Sequence, residues 1–230
     1  MAAGAEWAEW GHIMIILAIL TMVVGNVLAL PQRNLKRMLA YSSIAHAGYL
    51  TLGIIAAGKS GETLGISAIL FYLAAYALMN LGAFGVLIWI RARRRYDYSL
   101  DGLAGLGRTM PWPAILMALF MVSLTGIPPT VGFWGKFYLF TAVIQADLTW
   151  LAIIAVVMSA VSAYYYLRVV WYMFFREAPE GAEVEAEPAS SQAGVITAVT
   201  LAALGVVLVG LFPGPLLDAA QGALQLLIGV

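Results

Sequence analysis

Long stretches almost free of charge alternate along this chain with short connections that carry most of the charged residues. The stretches are 12–30, 38–58, 63–90, 112–146, 148–175 and 192–212, with Lys136 interrupting the fourth and Arg168 the fifth. A helix needs about 20 apolar residues to cross a hydrocarbon core of roughly 30 Å. Strands of a membrane barrel would be about ten residues long and would alternate in polarity. These runs are longer and apolar on all sides, so they predict helices. The expected fold is all-α: a polytopic membrane helix bundle, with residues 1–217 as a six-span membrane domain. Residues 218–230 are expected as a short tail, either an interfacial helix or an irregular cap.

The fourth stretch breaks the pattern. A straight helix over the 35 residues from Trp112 to Ala146 would be about 50 Å long, well beyond the hydrocarbon core. Gly126, Pro128, Pro129 and Gly132 stand in its middle. Pro129 has no amide hydrogen and restricts Pro128 away from helical dihedrals. A break near 126–131 is therefore predicted, giving one discontinuous helix. Irregular backbone at membrane depth lines a cavity or is buried in protein, and half-helices of this kind present their ends to ions. The alternative is a proline kink that accommodates neighbours.

Composition agrees with a membrane chain: 63% hydrophobic and 10% charged residues, against about 25% charged in an ordinary soluble domain. Twelve basic and twelve acidic residues cancel, so placement carries the information. Arg33, Lys36 and Arg37 follow the first span. Arg91, Arg93, Arg94, Arg95 and Arg108 follow the third, against Asp97 and Asp101, and Arg176 follows the fifth. Basic residues mark the cytoplasmic side, which puts the odd-numbered connections inside and both termini outside. The acidic run 177–187 is read as a flexible cytoplasmic loop. Trp7 and Trp10 suit an interfacial belt. The absence of cysteine excludes disulfides, thiolate metal sites, cysteine-ligated clusters and thiol catalysis. Two histidines, His12 and His46, make paired-histidine ligation within the chain an unattractive reading. The chain carries no nucleotide-binding, zinc-protease, nucleophile-elbow or nucleic-acid motif.

Two polar positions inside the spans carry candidate chemistry. Lys136 lies just beyond the predicted break, among Trp134, Phe137, Tyr138 and Phe140. An ammonium there loses hydration and must be paired, hydrated or neutral, which suits a station that holds and releases a proton. A snorkelling lysine is the alternative. His46 lies near the middle of the second span, with Ser42, Ser43 and Tyr49 nearby. Ser42, His46 and Tyr49 fall roughly on one helix face, and hydroxyls with an imidazole can conduct a proton through intervening water. A structural histidine bonded across a helix interface explains the same residues. Thr125 and Tyr138 are candidates to hydrogen-bond groups freed at the break. Lys36 either anchors a span end or lines a cytoplasmic entrance. Arg168 is expected to snorkel, with pairing inside the bundle as the alternative.

NLKRMLAYSSIAHAGYL (34–50) and SLTGIPPTVGFWGKFYLF (123–140) resemble the antiporter-like membrane subunits of respiratory complex I, and SAYYYLRVVWYMFF (162–175) is similar to the subunit N branch. The multisubunit sodium–proton antiporters share the first two patterns. The resemblance covers essentially the whole chain. It implies the second of two inverted repeats in a fold of about fourteen helices. In that alignment Lys136 resembles the essential buried residue of the discontinuous helix, and His46 with its serines resembles a polar stretch on a central hydrophilic axis. The family's glutamate and lysines of the first repeat have no counterpart here. The resemblance further implies redox-driven proton pumping in a bacterial inner membrane, beside other membrane subunits of the complex and lipids, with no nucleic acid. No cofactor is expected in this chain; NADH, flavin, iron–sulfur clusters and quinone would belong to the wider complex. A sodium–proton antiporter subunit, or a non-transporting structural fragment, is the alternative.

Overall fold

The computed structural model describes residues 2–61, 63–93, 98–178 and 192–228, with side chains described from residue 7 onward except at 8, 9, 227 and 228. Arg94, Arg95, Asp97 and most of the acidic 177–187 run lie outside the described residues. Nine helices are present among the described residues: α1 (Ala2–Ala29), α2 (Leu35–Ser60), α3 (Thr63–Arg93), α4 (Leu106–Thr109), α5 (Pro111–Thr125), α6 (Val131–Gln145), α7 (Thr149–Phe175), α8 (Ala193–Leu211) and α9 (Gly214–Ile228), with a short 3₁₀ turn at Asp101–Leu103. The fold class is the one expected: an all-α membrane bundle with a discontinuous helix.

α2 and α3 run a few residues beyond their charge-free stretches, because charged residues near a bilayer surface continue a helix as readily as they end one. α2 starts at Leu35 rather than 38, where the Asn34 side chain accepts from the Arg37 amide at 3.1 Å, a standard N-cap. It ends at Gly61, whose φ of 70° closes the last turn. Five helical segments, 10–29, 35–60, 63–93, 149–175 and 193–211, are each long and apolar enough to cross a bilayer. α5 and α6 have 15 residues each. At about 22 Å neither reaches alone across a 30 Å core.

The break falls at 126–130. α5 opens on Pro111, a residue suited to the first helical turn, and ends at Gly126, with φ 90°. The intervening donors are satisfied locally: Gly126 N–H bonds to Ser123 O at 2.9 Å, Ile127 N–H to Val122 O at 3.3 Å and Thr130 N–H to Ile127 O at 3.2 Å. α8 closes one side. A Cβ on Gly210 would fall 2.2 Å from the Pro129 carbonyl oxygen, and Trp134 Nε1 donates to Gly210 O at 2.8 Å. The break is not wholly enclosed, however. Thr130 is buried, but Ile127, Pro128 and Pro129 are exposed. Prolines bring no amide to satisfy, which lowers the cost of that exposure.

The tail is helical, one of the two forms expected, and its helix starts before the expected boundary at 217/218. α9 begins at Gly214, with Pro215 in its first turn. Ala220 and Leu224 are buried, and Leu216 and Leu217 pack on the core. These positions share one helical face.

Contacts between connections define the two ends of the bundle. At one end Leu35 N–H bonds to Tyr98 O and Leu100 N–H to Arg33 O, both at 2.8 Å, and Arg176 pairs with Asp101 at 3.1 Å. At the other end Lys59 Nζ donates to Asp147 O at 3.3 Å, and Gly58 lies against Trp10.

Candidate functional site

Lys136 reaches backward across the break, as helical side chains lean toward the N-terminus. It is 5% exposed. Its Nζ donates to Leu124 O at 3.0 Å, Thr125 O at 2.8 Å and Ser159 Oγ at 2.8 Å. An ammonium has three donors, and here each has an acceptor. Leu124 and Thr125 are the last residues of α5, so their carbonyls have no partner within the helix. The C-terminal end of a helix is also its negative end. The cation therefore sits where a helix favours one, and its hydrogen-bond acceptors are all neutral. Gly126 makes room: a Cβ there would meet Lys136 Cδ at 3.0 Å. The Tyr49 ring lies 5.3 Å from Nζ, within cation–π range.

His46, also buried, holds a second cluster. Its Nδ1 is 2.6 Å from the Tyr72 hydroxyl and its Nε2 is 3.0 Å from that of Tyr166. Tyr166 in turn bonds Ser42 Oγ. A neutral imidazole is a donor at one nitrogen and an acceptor at the other. The chain Ser42–Tyr166–His46–Tyr72 can thus run in either direction, by reversal of its hydroxyls together with a change of imidazole tautomer. Tyr76 stacks on the imidazole at 4.8 Å between centroids and donates to Ser43 Oγ at 2.7 Å. Close by, Tyr165 donates to Asn26 Oδ1 at 2.9 Å.

The candidates read from sequence fall into three groups. Lys136 gathers Thr125, but through the Thr125 carbonyl: the hydroxyl turns back to Met121 O at 2.8 Å, because an i−4 carbonyl lies within easy reach of a helical threonine. Ser42 and His46 join one hydrogen-bonded chain, Ser43 enters through Tyr76, and Tyr49 is buried with no hydrogen bond of normal length at its hydroxyl, which approaches Asn26. The third group stands apart. Tyr138 packs its ring on Phe71 and Trp134. Lys36 is exposed at the bundle end, 4.8 Å from the Tyr98 ring. Arg168 donates to Gln32 O at 2.6 Å, in the connection after α1, so it reaches toward that end of the bundle as a snorkelling side chain does.

Sequence reasoning missed Ser159, Tyr72, Tyr166 and Asn26. A usable signal existed: Ser159, Ser162 and Tyr166 follow a helical repeat along α7, and Tyr72 and Tyr76 lie four apart on α3. Among the described residues no group of three His, Cys, Asp or Glu side chains comes together as metal ligands would.

A family described as NADH:quinone oxidoreductase/Mrp antiporter, TM, matches residues 3–162. The chain is 46% identical over 223 residues to NADH-quinone oxidoreductase subunit N 2 of Roseiflexus castenholzii, covering 96% of this chain and 44% of the relative. It is 46% identical over 227 residues to NADH-quinone oxidoreductase subunit N of Trichlorobacter lovleyi, covering 99% and 45%. Among solved structures it is similar to a chain of respiratory complex I from Thermus thermophilus with bound aureothin, at 37% identity and a TM-score of 0.73, over 91% of this chain and 45% of that one. A chain of the Mrp complex from Dietzia sp., at 21% identity and a TM-score of 0.78 over 94% and 47%, shares the fold. The chain thus spans less than half the length of the relatives it matches.

Proposed function

This chain belongs to the NADH:quinone oxidoreductase/Mrp antiporter membrane family, and from that premise we propose that it contributes one half of a proton path to a complex I-type NADH:quinone oxidoreductase. Lys136 is the proton-holding station of that path. The observation that supports this most directly is the set of its acceptors, two carbonyls at the end of α5 and one hydroxyl. The charged form is satisfied by them. Deprotonation strands no carboxylate, since none pairs with the lysine among the described residues, and the neutral amine keeps two donors and gains a lone pair. Both protonation states are thus open to the group, as a relay requires.

In this reading the chain crosses a bacterial inner membrane six times, α5 and α6 together making one crossing. The connections after α1, α3 and α7 face the cytoplasm, and both termini face outward. Electrons pass from NADH through flavin and iron–sulfur clusters to quinone on other subunits, and antiporter-like membrane subunits lie alongside. Electron transfer drives the protonation cycle of Lys136, which this chain does not perform alone. The test is proton flux per quinone reduced by the complete complex in sealed vesicles carrying Lys136→Met. Flux at the wild-type level with verified assembly would remove Lys136 from the path.

A further inference from the structure

The Lys136 cluster and the His46 cluster are each complete, and no hydrogen bond connects them. The Tyr49 ring is a neighbour of both. It lies 5.3 Å from Lys136 Nζ and 5.8 Å, centroid to centroid, from the imidazole at an interplanar angle of 73°. Four tyrosines around it are tied by their hydroxyls: Tyr72 and Tyr166 to His46, Tyr76 to Ser43, and Tyr165 to Asn26. Tyr49 is as deeply buried, at 1% exposure, yet its hydroxyl makes no hydrogen bond of normal length; it only approaches Asn26, which Tyr165 already holds. A buried tyrosine normally finds a partner. Tyr49 is therefore the tyrosine of this group held least by its hydroxyl, and displacing its ring gives up mainly packing and the cation–π contact.

We infer that Tyr49 is a positioning residue for proton transfer: its ring is the movable barrier that keeps the His46 hydroxyl–imidazole chain separate from the Lys136 ammonium. The inference rests on the relay reading of Lys136. With the ring in place, the proton on Nζ has no bonded route toward His46. With the ring displaced, water entering the space takes one proton from Nζ, leaving a neutral amine, and delivers one to the accepting nitrogen of His46, whose tyrosine donor turns its hydroxyl away, so charge is conserved across the pair. A barrier of this kind separates loading of the lysine from its discharge, as gating motions do in other proteins.

The test uses the complete complex in sealed vesicles. Passive proton leak is followed with an internal pH-sensitive dye under an imposed gradient without NADH, and protons per quinone are measured with it. Tyr49→Phe keeps the ring and removes only the loosely held hydroxyl, so leak and ratio stay at wild-type values. Tyr49→Leu removes the ring, so leak rises several-fold and the ratio falls. Adding Lys136→Met to Tyr49→Leu returns the leak to the wild-type value, because the leak runs through the lysine; a general packing defect would not respond. If Tyr49→Leu fails to assemble, Tyr49→Met gives the same readout with more of the volume kept. Unchanged leak in the ring-less variant overturns the inference, as does a leak that survives Lys136→Met. Loss of flux in Tyr49→Phe overturns it too, by making the hydroxyl a proton carrier. Failure of the relay reading itself shows separately, as normal redox-driven flux in Lys136→Met with the ring intact.

Discussion

Lys136 on α6 donates to the carbonyl of Thr125 on α5 at 2.8 Å, so the helix after the break closes the open end of the helix before it. The side chain that carries the functional proposal is thereby also a structural link between the two halves. Substitutions at Lys136 must be judged with that double role in view.

Lys136→Arg and Lys136→Met separate the two roles. Arginine keeps a cation at the end of α5 but does not readily release a proton. Methionine removes the proton carrier and keeps much of the volume. Both variants are expected to assemble, and both are expected to lower flux per quinone on the order of a hundredfold, the scale of losing a positioned proton-transfer group. Wild-type flux in the arginine variant, measured in vesicles of low leak, would show that a fixed positive charge suffices.

Gly132 tests how closely the halves meet. A Cβ there would fall 1.8 Å from the Ser123 carbonyl oxygen, which is backbone and cannot swing aside. Gly132→Ala is expected to destabilise the chain by about 3 kcal/mol, in the range of a severe core clash, and to lower the yield of assembled complex. Gly194→Ala is the control, since nothing lies within 4 Å of a Cβ there. Equal thermal stability of the two variants in detergent would contradict the tight junction.

His46→Phe leaves the Tyr72 hydroxyl without a partner, at about 1–3 kcal/mol, while Tyr166 keeps Ser42. His46→Gln restores one donor and one acceptor and is expected to recover most of that stability. The effect of either on flux is expected to be milder than that of Lys136→Met, because all three partners of the ammonium are untouched. A histidine variant that pumps as poorly as the lysine variant would place His46 on the obligatory route.

The proposed orientation is open to single-cysteine labelling in this cysteine-free chain. Gln32→Cys and Asp101→Cys are expected to react from the cytoplasmic side, and Lys59→Cys and Thr149→Cys from the exterior. Reaction of positions 32 and 59 from one side would be incompatible with α2 crossing the bilayer.

The helices were legible in sequence because a bilayer demands long apolar runs, and the break because two prolines cannot be carried through a helix interior. Lys136 stood out as a charge with no reason to be there. What it touches did not stand out. Its acceptors are two backbone carbonyls, which no residue type announces, and Ser159, one small polar residue among many in α7. The His46 cluster was half legible: Ser42 and Ser43 were visible beside it, but Tyr72 and Tyr166 read as apolar bulk, since a hydropathy pattern does not record where a phenol oxygen points. Arg168 was legible in direction but not in partner: its length suggested reach toward the interface, and it meets the Gln32 carbonyl in the connection after α1.

The pairing of Leu35 with Tyr98 and of Leu100 with Arg33 has an evolutionary consequence. Both bonds run between main-chain atoms, so the junction itself counts residues rather than reading side chains. The side chains there are held for other reasons: Leu100 is buried in the core, Ser99 Oγ accepts from the Gly102 amide and the Tyr98 hydroxyl accepts from Arg91. A single inserted or deleted residue shifts the pairing out of step, leaves main-chain groups at that end without partners and carries Leu100 out of the core. Length in this segment should be held as strictly as Leu100 itself.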